Sequence, residues 1–120
     1  MGLRSVALKD GIEWKKGFVQ ANLDWVKAHE PGNAALIQRY TAELNILNTP
    51  NRASYDLVRR NLANQVESAR NNLAALNGLA AHREKLHGTA LAEELAAARK
   101  LLKALEDLLR ALEKEGRPAH

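Results

Sequence analysis

Between residues 11 and 30 the apolar side chains recur in two arcs. At about 100° per residue in a helix, Ile12, Val19, Leu23 and Val26 share one side. Trp14, Phe18, Ala21 and Trp25 fall on another, continued at the same heptad step by Ala28. A surface helix ordinarily has one apolar stripe and one wet face. Two stripes predict a helix that is either held between neighbours inside a bundle or offers one stripe to a partner. Both readings stay open at this level. Gly17, beside the second stripe, would let another backbone approach. The helix is expected to start at the capping box Asp10-Gly11-Ile12-Glu13 and to stop at Pro31-Gly32.

A second helix is predicted over 34–48, capped by Asn33, with Leu36, Ile37, Tyr40, Leu44 and Leu47 on one face. Thr49-Pro50 reads as the opening of a third, with Thr49 as cap and Pro50 at the first helical position, where its missing N–H costs nothing. This helix is expected to be long, over 51–87, with Tyr55, Leu62, Val66, Ala69, Leu73, Leu76 and Ala80 on one stripe. Asn77-Gly78 is its weak point, since glycine there costs about 1 kcal/mol relative to alanine. Continuation through that pair is the expectation. Gly88-Thr89 is the better break, with Gly88 ending one helix and Thr89 capping the next.

The fourth helix, over 90–115 and ended by Gly116, carries Leu91, Leu95, Ala98, Leu102, Leu105, Leu109 and Leu112 at unbroken steps of three and four. A connection of a residue or two demands that it lie antiparallel to its predecessor. The predicted architecture is therefore all-α, an up-down helical bundle of about four helices in a single domain over 1–120. A long antiparallel C-terminal helical hairpin forms its second half. Leu101 and Leu108 widen the last seam beyond what a two-helix contact buries, which again asks for cover from other helices or from a second chain.

Composition shifts near residue 78. All ten Asn and every Ile, Val, Trp, Phe and Tyr precede it, and beyond it the nonpolar helical positions hold only Leu and Ala. That leaves open an engineered or fused helical scaffold beside a natural one. The chain has 120 residues, room for one domain, and no cysteine, which excludes disulfides and thiolate metal sites. No apolar run is long enough to span a bilayer, and the first residues lack a signal-peptide pattern. The expectation is a cytoplasmic protein with no membrane partner.

The net charge of +4 is mild, with the signs mixed. It admits nucleic acid as a partner. A helix-turn-helix-like segment around 34–60 would place Arg52, Arg59 and Arg60 as contacts near the start of a reading helix. Against this, the third helix is far longer than a recognition helix. His82 and His87 are five positions apart, about 140° around a helix, whereas zinc-binding pairs want a spacing of four. No metal site is expected. No phosphate loop, nucleophile elbow or activated serine is present: Ser68 has no histidine placed to activate it, and Glu43, Asp56 and Glu67 fall on polar faces. No catalytic residues, no cofactor and no enzymatic activity are expected.

The leading expectation is a non-enzymatic assembly or adaptor protein and homo-oligomer. Its candidate interface is Trp14, Phe18, Ala21 and Trp25 with Leu101 and Leu108, facing a second copy or another protein partner.

Overall fold

A computed structural model describes the backbone of residues 6–120 and the side chains of residues 7–79, 81 and 91–120. The chain is all-α, with no strand among the described residues. Helix α1 spans Val6–His29, α2 spans Ala34–Leu47 and α3 spans Arg52–Glu115. Helical assignment is continuous through the 64 residues of α3, yet Arg70 and Glu106 meet at 2.8 Å. A straight helix would hold those two about 54 Å apart, so α3 reverses. Leu76 and Glu94 line a common cleft, which brackets the reversal between them. The arms at 52–79 and 91–115 lie antiparallel and make four helical runs in all, a bundle with a packed hairpin. The chain passes through Asn77-Gly78 as helix. The expected break at Gly88-Thr89, like Ala80, His82 and His87, lies outside the residues whose side chains are described.

Two helix starts differ from the sequence expectation. The first helix begins at Val6 instead of 11, so Asp10 and Glu13 are interior helix residues and form no capping box. Two contacts explain the longer helix. Ala7 donates its backbone N–H to Glu115 Oε2 at 2.9 Å, so a carboxylate from the far end of α3 satisfies one orphan donor of the first turn and complements the helix dipole. Gly11, which reads as part of a helix start, is a contact residue. A Cβ built on it would sit 2.6 Å from Val58 Cγ1, and Val58 is fully buried.

The third helix is capped by Asn51, not Thr49. Asn51 Oδ1 accepts from Ser54 N at 3.1 Å while Ser54 Oγ accepts from Asn51 N at 2.9 Å, a reciprocal capping box. The Ser54 hydroxyl also donates to the Thr49 carbonyl at 2.7 Å. Ser54 is fully buried. Pro50 precedes the helix because Asn51 can accept from an amide three residues on and proline cannot. The expected caps at Asn33, which accepts from Leu36 N, and at Gly116, with φ of 91°, are present.

The chain divides into two compact units. One comprises Met1–Asn61 with Ala111–His120, the other Leu62–Arg110. In the first unit Leu8, Ile12, Val19, Leu23, Val26, Leu47, Tyr55, Leu57, Val58 and Leu112 are buried. In the second, Leu62, Val66 and Ala69 are buried on the outgoing arm and Leu91, Ala98 and Leu105 on the returning arm. Leu73, Leu76, Leu95, Leu102 and Leu109 are half-buried.

The two glycines of α1 have opposite consequences. Gly11→Ala is expected to cost about 1 kcal/mol net, because forcing a methyl against a stiff, β-branched Val58 costs about 2 and the gain in helix propensity returns about 1. Gly17, with nothing within 4 Å of its virtual Cβ, is expected to gain up to about 1 kcal/mol on the same change. Urea denaturation of the two variants reads both signs. Equal midpoints would mean that Val58 moves aside freely.

Candidate functional site

The second stripe of α1 lies on the surface. Phe18 is 55% and Trp25 52% exposed, Ala21 is exposed and Trp14 half-buried. The first stripe takes the core role, with Ile12, Val19, Leu23 and Val26 all buried. Among the described residues the second stripe is therefore not buried as the first is, although Trp14 is half-buried. Two aromatic pairs stand on this side of the helix. Trp14 and Phe18 meet edge-to-face, with centroids 5.4 Å apart and planes at 74°, a favourable arrangement of the two ring quadrupoles. Trp25 stacks on His29 at 4.7 Å and 15°. His29 Nδ1 lies 3.0 Å from the Trp25 carbonyl. That oxygen can only accept, so Nδ1 carries the proton in this hydrogen bond. Gly17 is exposed.

In the other unit, Leu101 is 55% exposed and Leu108 half-buried. Leu101 borders a shallow cleft of about 290 Å³ with Asn72, Leu76, Glu94, Ala97 and Ala98. Two exposed apolar residues that sequence reading did not single out are Ile46 on α2, 39% exposed, and Leu79 on α3, 43% exposed. Both stand outside the regular stripes of their helices, which is the signal that marks them.

The arginines expected to contact nucleic acid are placed differently from one another. Arg52 donates from Nη2 to the Ala119 carbonyl at 2.8 Å and from its backbone N–H to the His120 carbonyl. Arg59 pairs with Glu113 at 2.9 Å. Arg60 is exposed. Beside them Arg117 grips Asp56 through both oxygens, at 2.9 and 2.7 Å. The Arg117 hydrogen bond holds the Asp56 carboxyl below its usual range, and Asp56 in turn raises Arg117. A helix-turn-helix reader needs its guanidiniums turned to phosphate, and two of these three are engaged by the last residues of the same chain.

Glu43 is half-buried, and Asp56, Glu67 and Ser68 are exposed. Among the described residues no three His, Asp or Glu side chains converge as a metal ion would require. None of the described helices is long and apolar enough to cross a membrane. Compared with known proteins, the chain matches no protein-family profile, no curated protein and no solved structure.

Proposed function

We propose that this chain is a non-enzymatic assembly protein that self-associates through apolar helix faces. The observation that carries the reading is the exposure of Phe18 and Trp25, each just over half accessible on one stripe of α1. Large aromatics are enriched where proteins dock, and aligned exposure costs solubility unless a partner covers it. Leu101 and Leu108 add a smaller apolar area in the other unit. A chain without cysteine suits a reducing compartment, in keeping with a cytoplasmic role. The nucleic-acid reading has less to stand on, because Arg52 and Arg59 are held by residues 113–120.

The test is molar mass by light scattering in line with size exclusion, in low and high salt, for the parent and for a Phe18→Gln/Trp25→Gln variant. A mass above that of one chain in both salts is expected, falling to the monomer in the variant. Helical content should be unchanged, and each exposed substitution should alter stability by no more than about 0.5 kcal/mol. A parent that is monomeric throughout overturns the reading, as does a variant that unfolds. Retention on DNA or RNA that weakens steeply with salt would favour the alternative.

A further inference from the structure

The stripe on α1 reads as a coiled-coil seam, with Phe18 and Trp25 at one core position and Trp14, Ala21 and Ala28 at the other. Its flanks differ sharply in charge. On one side, preceding Gly11, Phe18 and Trp25, stand Asp10, Gly17 and Asp24. On the other, following Trp14, Ala21 and Ala28, stand Lys15, Asn22 and His29. One flank is acidic or neutral and the other basic or neutral. Asp10, Asp24, Asn22 and His29 are exposed. Lys15 is half-buried and donates one proton of its ammonium to Asn61 Oδ1 at 3.0 Å, which leaves two donors. We infer that α1 pairs with α1 of a second copy of this chain, parallel and in register, along the seam from Trp14 to Ala28. The inference rests on the self-association proposed above and specifies its geometry.

Flanking charges set the orientation of paired helices. In a parallel pair each acidic flank meets the basic flank of the other helix five residues further on. Asp10 then faces Lys15 of the second copy, Gly17 faces Asn22 and Asp24 faces His29, and the two-fold axis repeats each pair. Every charged flank residue finds its opposite. In an antiparallel pair each flank meets itself, which sets Lys15 against Asn22 and Asp24 against Gly17, so no acidic flank residue reaches a basic one. Nε2 of His29 can bond to the Asp24 carboxylate only as a donor, that is, when both ring nitrogens carry a proton. Phe18 and Trp25 each offer on the order of 100 Å² of exposed surface. Two copies therefore supply roughly 400 Å² from these residues, well under the 1,200 Å² of a standard interface. The dimer is a reversible one that grows with concentration.

Cysteine cross-linking resolves the orientation, and the chain has no cysteine of its own to interfere. In the parallel pair the two Ala28 residues face each other within disulfide reach. In the antiparallel pair one core position faces the other, so Ala28 faces Gly11, and the two copies of residue 28 stand about 25 Å apart along the axis. Full-length Ala28→Cys is expected to oxidise to a covalent dimer whose yield rises with concentration. Asp24→Lys is expected to weaken the reduced dimer several-fold by light scattering, and His29→Glu added to it to restore the parent mass profile. A dimer in which A28C stays unlinked and the charge exchange brings no rescue overturns the parallel arrangement while leaving self-association standing. A chain that is monomeric from micromolar to millimolar concentration overturns both.

Discussion

Leu112→Ala is expected to cost about 3 kcal/mol, within the range of about 2–5 for emptying a buried leucine site, and to loosen the unit that contains α1 although the residue stands near the opposite end of the sequence. Leu112 has no accessible surface, and it belongs to the same compact unit as Met1–Asn61. Among the described residues the polar links between residues 111–120 and the rest of that unit are Glu113 with Arg59, Arg117 with Asp56, Glu115 with the Ala7 N–H, and Arg52 with the carbonyls of Ala119 and His120. The two ion pairs are about half exposed, and exposed pairs contribute little. The hydrophobic anchor must then supply most of the attachment. Both tryptophans of the chain lie on α1, so their fluorescence reports this unit while circular dichroism reports all helices. In Leu112→Ala the fluorescence transition in urea should move to lower denaturant at least as far as the dichroism. Leu105→Ala, a buried site of the other unit, should move the dichroism further than the fluorescence. Fluorescence left in place by L112A would show that residues 111–120 merely decorate the unit.

The periodic stripes were the most legible part of this chain. Ile12, Val19, Leu23 and Val26 are buried as their arc requires, and so are Leu91, Ala98, Leu105 and Leu112 of the heptad seam. That helices recur at 3.6 residues per turn is local physics and needs no knowledge of neighbours. The ends of the helices were harder, because their caps come from elsewhere. Asp10-Gly11-Ile12-Glu13 has the composition of a start, but the donor of the first turn is met by Glu115, more than a hundred positions away. Leu8, buried in the same arc as Ile12, was the local cue that the helix extends back. Gly11 misleads for a related reason: its lack of a side chain serves a contact with Val58, which no local pattern reports. Thr49-Pro50 and Asn51-Ser54 both carry cap residues, and only the serine hydroxyl's bonds to Thr49 and Asn51 decide between them. For the candidate site, periodicity located the aromatic stripe but left its exposure open. Exposure depends on which helices reach that side, which no local pattern reports; among the described residues Phe18 and Trp25 stay more than half exposed.

A fragment of residues 1–78 is expected not to fold cooperatively, despite ending where the composition changes. The compact unit that holds α1 and α2 is discontinuous and takes in Ala111–His120. Cutting at 78 removes Leu112 from the core, the Glu115 carboxylate from the start of α1, and the partners of Asp56 and Arg59. What remains would rely on α2, only 14 residues long, a length at which isolated helices are marginal in water, and on an outgoing arm stripped of its antiparallel neighbour. The fragment should melt without a cooperative transition and show tryptophan emission close to that of the unfolded chain. Adding an equimolar fragment of residues 79–120 should restore both a sharp transition and the parent emission, because each of the two compact units draws residues from both pieces. A fragment that folds alone would make the shift near residue 78 a true domain boundary and favour a fused origin. Refolding only on mixing would mean that the Leu- and Ala-only segment completes the unit bearing the aromatic stripe, so that the surface proposed for self-association depends on both ends of the chain.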